Sequence, residues 1–252
     1  IRGEPEESFL LLGMSFLFPY LEPYLIRSMK VARERIEDPE LLADLRRFCA
    51  QEGQHFREHT RFNRAMKGQD YPGLGELEAA LASDYKSFTA HKSLRWNLAY
   101  AEGFEAMTAA TALFLFETRD EREVHPLVER LMFWHALEEL EHRTVAFDVY
   151  QQVYGGYLYR LAVGMYAQAH LLLFAVRVAR YMLRTSPRCI ERHGGRIGRV
   201  RRLWRQGSRI VRKFLPKILR TYSPWYSPRK IVFTREMEAM ARDFSAHAQS
   251  VS

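Results

Sequence analysis

The chain has few cysteines, and this excludes two classes of protein. Only Cys49 and Cys189 occur among 252 residues, far apart and outside any Cys-x-x-Cys spacing. A disulfide scaffold or a thiolate zinc site needs more thiols, or thiols closer together. We therefore expect a reduced, cytoplasmic protein that is stabilised by a hydrophobic core, to which 47% hydrophobic residues can contribute.

The chain also lacks strand-like alternation, and its uncharged runs are too short to span a membrane. Without alternation of apolar and polar residues, the fold should be all-α. The apolar segment 157–183 contains an uncharged run of sixteen residues, 161–176, whereas a membrane span needs about 20. We therefore expect a buried or interfacial helix there rather than a transmembrane one.

Apolar periodicity predicts four long helices in the first 156 residues. Their ranges are 8–36, 39–66, 77–116 or 84–116 with one break, and 126 to about 153. Proline at 39, after Asp38, is typical of a helix start, and Gly155-Gly156 of a helix end. Pro19 and Pro23 predict either a kink in the first helix near Glu22 or a helix that begins late. Residues 67–75 are predicted to be a connection, and a last short helix covers about 229–244.

One pattern occurs twice on the apolar faces of these helices. Glu22 is followed by Glu52-x-x-His55, and Glu102 or Glu105 by Glu139-x-x-His142. Buried carboxylates and imidazoles are costly unless something compensates them, and bound metal is the usual compensation. Ordinary surface glutamates are the alternative, but all four helices would then carry acids on their apolar sides.

The spacing of the pattern predicts an architecture. Thirty residues from Glu22 to Glu52 and thirty-four from Glu105 to Glu139 fit two antiparallel helix pairs. The longer interval between the pairs leaves room for a crossover connection. We predict an all-α, ferritin-like four-helix bundle with a dimetal centre in residues 1–156. A helical extension, 157–252, should pack on it.

The predicted ligands combine carboxylates with a few imidazoles, a set that suits iron or manganese. We expect two iron ions, with Mn–Fe or another divalent pair as alternatives. The predicted metal ligands are Glu22, Glu52, His55, Glu105, His135, Glu139 and His142. Alternatively, His135 is a core histidine that bonds to a carboxylate. Supporting or alternative ligands are Glu102, His59, Glu138 and Asp148, and the choice between Glu102 and Glu105 is left open by periodicity.

Four segments carry a resemblance to a known family: residues 18–22 (FPYLE), 51–55 (QEGQH), 105–109 (EAMTA) and 134–142 (WHALEELEH). They resemble a bacterial family that is usually called the predicted metal-dependent hydrolases and is placed in the ferritin-like superfamily. Leu21 stands where that family usually has glycine. The resemblance implies Glu105 rather than Glu102 as ligand. The ligand order is also similar to that of the dimetal arylamine N-oxygenases.

Three functions are compatible with such a centre. The resemblance to the N-oxygenases implies a non-haem di-iron oxidase or oxygenase that uses O₂ on a hydrophobic acyl, lipid or aromatic substrate. A metal-dependent hydrolase would instead use metal-activated water. The third candidate is a non-enzymatic metal-binding protein.

Residues 188–220 contain twelve Arg and Lys against one acid, so the rest of the chain is slightly acidic although the whole has a net charge of +8. This segment could pack on the acidic bundle, or dock on anionic lipid at the inner membrane face. Nucleic-acid binding is less favoured because no recognition module accompanies the charge, and a homodimer stays open. The predicted interfacial residues are Arg199, Arg202, Trp204, Arg205, Arg209 and Lys213.

Overall fold

A computed structural model describes residues 1–67 and 71–251 of the chain; part of the predicted connection 67–75 lies outside these ranges. All regular elements within them are helical, as predicted. In chain order the α-helices are α1 (Pro5–Ser15), α2 (Phe18–Ala32), α3 (Pro39–Lys67), α4 (Leu74–His91), α5 (Leu94–Glu117), α6 (Pro126–His142), α7 (Val145–Val153), α8 (Tyr157–Thr185), α9 (Pro187–Arg192), α10 (Gly195–Arg209), α11 (Leu215–Thr221) and α12 (Arg235–Val251).

Helices α2, α3, α5 and α6 pack around a shared interior. α2 contacts α3 and α5, and α6 contacts α5 and α3. In α3, Leu41, Leu45 and Phe48 recur at helical spacing and are buried, and the same stripe continues into Glu52 and His55. Burial of the apolar residues therefore turns the polar ones inward as well.

The prediction of one continuous helix over 8–36 was wrong, because the chain breaks between α1 and α2. The alternative, a helix that begins late, is what the structure has, since α2 begins at Phe18. Gly13 of α1 lies so close to the Ala175 backbone of α8 that an added Cβ would overlap it. α1 thus packs on α8, and the chain turns before it enters the bundle. Pro19, which lacks an amide N–H, lies in the first turn of α2, where that group has no helical partner. Pro23 lies inside α2 without ending it.

The break predicted within 77–116 is present, since this range is divided into α4 and α5. The Ser93 side chain caps α5 by accepting a hydrogen bond from the Trp96 N–H at 3.2 Å. Two other helix ends differ from the predictions. The range 126–153 is interrupted after α6, so α7 is a separate helix. The last helix begins at Arg235 rather than at 229.

α8 is the apolar helix predicted at 157–183, and it packs on α1 and α5. By length and hydropathy alone, Pro5–Arg35 and Tyr157–Thr185 could each span a membrane. However, 56% and 44% of their most apolar windows are buried inside the protein. Core helices of soluble proteins have the same properties, so this is weak evidence for a span.

The two predicted parts of the chain share one hydrophobic core. Phe48 and Tyr100 from the first part belong to the same buried cluster as Leu171 and Met182 from α8. The division at residue 156 therefore stays a prediction, although the extension does pack on the helices before it.

The basic segment from α10 to α11 lies along acidic residues near the N-terminus and the end of α5. Five of the six predicted interfacial residues point at these acids, so the segment packs on the acidic part of the protein, which is one of the two arrangements predicted for it. Arg202 is paired with Glu6, Arg205 with Glu4, Arg209 with Glu7 and Glu121, Lys213 with Glu117 and Glu121, and Arg199 lies 3.9 Å from Glu6. Of the six, only Trp204 has no such partner, and it is exposed.

Candidate metal centre

Two groups of acidic and imidazole side chains meet in the interior of the four helices. One group contains Glu22, His55, His135 and Glu139, and the other contains Glu52, Glu105, Glu139 and His142. Within each group the potential ligand atoms lie within 4.8 Å of one another. All seven predicted ligands are present, each at most 5% exposed. Because Glu139 belongs to both groups, the geometry is that of two adjacent metal positions with one shared carboxylate.

Helical spacing explains why four helices are enough to bring seven predicted ligands together. Glu52 and His55 lie three residues apart on α3, and His135, Glu139 and His142 occupy one face of α6 at spacings of four and three. α2 and α5 add one glutamate each.

The first group is arranged around one carboxylate oxygen. His135 Nε2 lies 2.7 Å from Glu139 Oε1 and 3.8 Å from Glu22 Oε1. His55 Nδ1 lies 3.6 Å from the same Glu139 oxygen. Two imidazole nitrogens and two carboxylates therefore face one small volume.

The second group converges on His142. Its Nε2 atom lies 3.2 Å from Glu52 Oε1, 3.4 Å from Glu139 Oε2 and 3.6 Å from Glu105 Oε2. Three carboxylates around one imidazole nitrogen form an oxygen-rich pocket, which suits a hard or borderline divalent cation.

These side chains fit a pair of cations because their buried polar atoms are otherwise unsatisfied. Both carboxylate oxygens of Glu22, Glu52 and Glu105 are buried and have no hydrogen-bond partner among the described residues. The same holds for the atoms of the two Glu-x-x-His histidines that face the carboxylates, His55 Nδ1 and His142 Nε2. Such groups are costly to bury. Two divalent cations would balance the four carboxylates and give each free atom a partner.

The other ring nitrogen of each histidine is held by a neighbour. His55 Nε2 lies 2.9 Å from Glu138 Oε2, and His142 Nδ1 lies 3.1 Å from Gln51 Oε1. A partner of this kind sets the tautomer and orientation of a ligating histidine. Glu138 thus bonds to the predicted ligand His55, and its supporting role stays a prediction.

His135 is held by a longer chain of buried side chains. Its Nδ1 atom lies 2.7 Å from Nε2 of His59, whose Nδ1 lies 2.8 Å from Ser15 Oγ. The Ser15 hydroxyl donates to Asn63 Oδ1 at 2.7 Å. His59 is thus a neighbour of a ligand, as predicted.

Without metal, the carboxylates repel one another. Burial, followed by the charges of Glu52, Glu139 and Glu105, raises the pKa of Glu22 well above its ordinary value. Burial and Glu139 raise the pKa of Glu105 in the same way. A metal-free centre therefore retains protons that cations would displace.

The histidines that face the carboxylates bind protons strongly for the opposite reason. Burial alone would lower the pKa of His142, but Glu105 and Glu139 raise it well above its ordinary value. Burial likewise opposes protonation of His55, yet its carboxylate neighbours, with Glu138 first among them, raise its pKa to about 9.

Two predicted supporting residues lie elsewhere. Glu102 points away from both groups and pairs with Arg160 of α8 at 2.7 Å, and burial raises its pKa to about 7 despite that arginine. Glu105 is thus the residue of α5 in the centre. Asp148 was predicted to orient a histidine, but it pairs with Arg229 at 2.7 Å because it lies on α7, after the helix break.

Sequence reasoning missed several partners of the ligands. The Thr108 hydroxyl donates to Glu139 Oε2 at 2.8 Å, and Trp134 Nε1 donates to Glu138 Oε1 at 2.9 Å. Thr108 is three residues after Glu105, and Asn63 continues the α3 stripe, so helical spacing could have found both. Ser15 gives no such signal, because its contact depends on the break after α1.

The fold and the site define an all-helical protein with a candidate dinuclear metal centre. A family model described as "Predicted metal-dependent hydrolase" matches residues 1–231. The chain belongs to this family. No curated protein and no solved structure matches the chain. The ferritin-like placement of the fold therefore stays a prediction.

Proposed function

We propose that this protein is a hydrolase that uses two divalent cations. The observation that carries the proposal is the pair of buried ligand groups that share Glu139. Its family description supports hydrolysis as the reaction. When bound, such a metal pair would supply Lewis acidity and lower the pKa of water at the site.

The residues around the centre hold its ligands and exclude bulk water. Thr108 donates to Glu139 and keeps one orientation of the shared carboxylate. The ring of Phe18 lies 4.5 Å from that of His135, and the ring of Phe48 lies 4.9 Å from that of His142. A dry, rigid surrounding strengthens each electrostatic interaction inside it.

A pocket beside α5 offers a place for the substrate. It has a volume of about 360 Å³, and its wall on α5 includes Ala106, the residue after Glu105. Tyr226 also lines it, and burial, followed by the charges of Glu102 and Glu105, raises the pKa of its hydroxyl. We infer that substrates reach the metal centre from this side.

The pocket lining indicates a substrate with an apolar body and an anionic group. Apolar contacts would come from Ala110, Leu113 and Ile231, whereas Arg220 and Lys230 bring positive charge to the same pocket. Both cations are exposed and can pair with a carboxylate or phosphate.

A di-iron, O₂-dependent oxidase or oxygenase is the second candidate, and His135 favours it. The group with Glu22 contains two histidines, so the full set has three imidazoles and four carboxylates. Carboxylate-rich sets with several imidazoles suit iron and manganese. In this candidate function the partners are O₂ and a hydrophobic small molecule.

The two functions are separated by oxygen and by redox activity of the metal. Protein loaded anaerobically with Mn²⁺ or Zn²⁺ should hydrolyse aryl or acyl esters or amides if the hydrolase proposal is correct. O₂ uptake by Fe²⁺-loaded protein, with no anaerobic hydrolysis, would instead select the oxidase. Ala110→Trp, which fills the pocket but removes no ligand, should reduce turnover with unchanged metal content. Turnover unaffected by this variant would contradict the pocket assignment.

A further inference from the structure

The segment from α10 to α11 buries two arginines against the protein and leaves large apolar side chains in solvent. Arg202 and Arg209 are 6% and 8% exposed, whereas Ile197 and Trp204 are 71% and 80% exposed. A helix on the surface of a soluble protein normally has the opposite arrangement.

Ion pairs with the bundle fix this orientation. Arg202 donates two hydrogen bonds to Glu6, at 2.7 and 2.8 Å, and Arg209 donates to Glu7 at 2.9 and 3.1 Å. Further along the segment, Lys213 Nζ lies 2.6 Å from Glu121 Oε1. With its basic residues held in this way, the helix cannot rotate its apolar side inward without breaking buried pairs.

The outward side is a continuous apolar stripe. Its residues follow one another at spacings of three, four and seven, so they lie on one side of the helical segment. They are Ile197, Val200, Trp204, Val211, Leu215 and Leu219, all of them exposed. An exposed stripe of this kind indicates an interaction surface.

The charges beside the stripe indicate what covers it. Arg196, Arg201 and Arg212 flank it, are exposed, and have no ion-pair partner among the residues that the structure describes. From residue 192 to 235 the sequence contains no Asp or Glu. A second copy of this chain would bring like charges together here, whereas an anionic surface would pair with them.

We propose that this face docks on the surface of an anionic lipid bilayer, with Trp204 and its apolar neighbours at the acyl boundary. Tryptophan among aliphatic residues with flanking arginines is typical of helices that lie in the membrane interface. The lipid surface thus contacts the outer stripe and not the arginines that hold the helix on the bundle.

Docking there would also bring lipid near the proposed substrate pocket. α11 carries Leu215 and Leu219 on the outward stripe and lines the pocket with Arg220 and Thr221. The docking proposal does not depend on catalysis, because vesicle binding can be measured on protein that turns nothing over.

The test is co-flotation of the full chain with vesicles of phosphatidylcholine alone or mixed with phosphatidylglycerol. We expect binding to the mixed vesicles only, weakened by salt. Trp204→Ser should reduce the affinity about 10-fold. Changing Arg196, Arg201 and Arg212 together to Gln should reduce it roughly 100-fold and remove the salt dependence.

Matched variants control for nonspecific effects, and circular dichroism should show that every variant is folded. Leu127→Ser removes an equally exposed apolar residue, 74% exposed, from α6, and should bind as the wild type does. The triple change of Arg33, Arg46 and Arg64 to Gln, three exposed arginines on other elements, should also leave vesicle binding unchanged. The proposal would be overturned if the wild type bound no vesicles, or if the control variants lost as much vesicle affinity as the test variants. It would also be overturned if the chain self-associated and Trp204→Ser abolished that self-association.

Discussion

At the scale of single residues, the orientation of each predicted ligand histidine depends on the group that bonds to its other ring nitrogen. Glu138 accepts from His55 Nε2 and so leaves Nδ1 facing the carboxylates. Glu138→Ala should therefore lower metal affinity about 10- to 100-fold without removing a ligand. Isothermal titration with Mn²⁺ measures this. Glu129→Ala, which removes a surface partner of Arg119 from the same helix, should leave the affinity unchanged; equal losses would contradict the orienting role of Glu138.

Protons bound by the centre should make the metal-free protein less stable as the pH rises from 6.5 to 9. The pKa of His55 is raised from 6.5 to about 9 by its carboxylate neighbours against the effect of burial, so the folded state holds a proton that the unfolded state releases in this range. His59 and His135, whose pKa values are lowered chiefly by burial, are neutral in both states above about pH 7.5, so the loss between that pH and 9 comes from groups whose pKa is raised.

Urea unfolding of chelator-treated protein at several pH values measures this loss. With metal bound, the free energy of unfolding should change much less with pH, because the cations have displaced the protons. Equal slopes with and without metal would show that these histidines are not ligands.

Sequence patterns predicted which acidic and imidazole side chains meet in the interior, because these side chains follow helical spacing. Glu52 with His55, and Glu139 with His142, each lie within one element, where spacing fixes which side chains share a face. The choice of Glu105 over Glu102 could not be made in this way. This choice depends on Arg160, which lies 58 residues after Glu102 in the sequence and forms a buried ion pair with it.

At the scale of helices, the contact of α5 with α8 depends on two glycines. An added Cβ on Gly103 would overlap the Gly164 backbone. Gly103→Ala should therefore push the helices apart and cost about 1–3 kcal/mol of unfolding free energy. Gly207→Ala, in α10 where nothing lies within 4 Å of an added Cβ, should instead be neutral or stabilising by up to about 1 kcal/mol. Urea unfolding of both variants measures these changes in the free energy of unfolding. If Gly103→Ala were as stable as the wild type, the close approach of α5 and α8 would be contradicted.

Two helix breaks, after α1 and after α6, were not predicted from the sequence. The α1–α2 break follows from the packing of Gly13 on Ala175, a contact between distant parts of the chain. The break between α6 and α7 separates Asp148 from the centre, and periodicity alone continued through it. Local patterns report which residues share a face, whereas tertiary contacts decide where a helix ends.

At the scale of the whole molecule, ion pairs hold the C-terminal segment on the N-terminal helix. Arg202→Met removes both hydrogen bonds to the buried Glu6 and leaves only the more distant Arg199, at 3.9 Å, so it should cost about 1–3 kcal/mol. Adding Glu6→Gln should restore much of that loss. Thermal unfolding of the two variants measures both effects, and a double variant no more stable than Arg202→Met would contradict the pairing.

The same pair gives a pH dependence. Burial alone would raise the pKa of Glu6, but its hydrogen bonds to Arg202 lower it below 4.5 overall. The stabilisation is therefore complete above pH 4.5 and is lost as the pH falls through the lower pKa of the folded state. Below pH 4.5 the wild type should lose more stability than the double variant.

Metal content is the measurement that bears most directly on the dinuclear centre. After loading with Mn²⁺ or Fe²⁺ and removal of free metal, elemental analysis should find two cations per chain. Glu139→Gln should reduce both sites together, because this residue belongs to both ligand groups. Glu129→Gln, on the same helix but paired with Arg119 and outside both groups, should keep both cations. One cation or none in the wild type, or two in Glu139→Gln, would contradict a dinuclear centre built on the shared carboxylate.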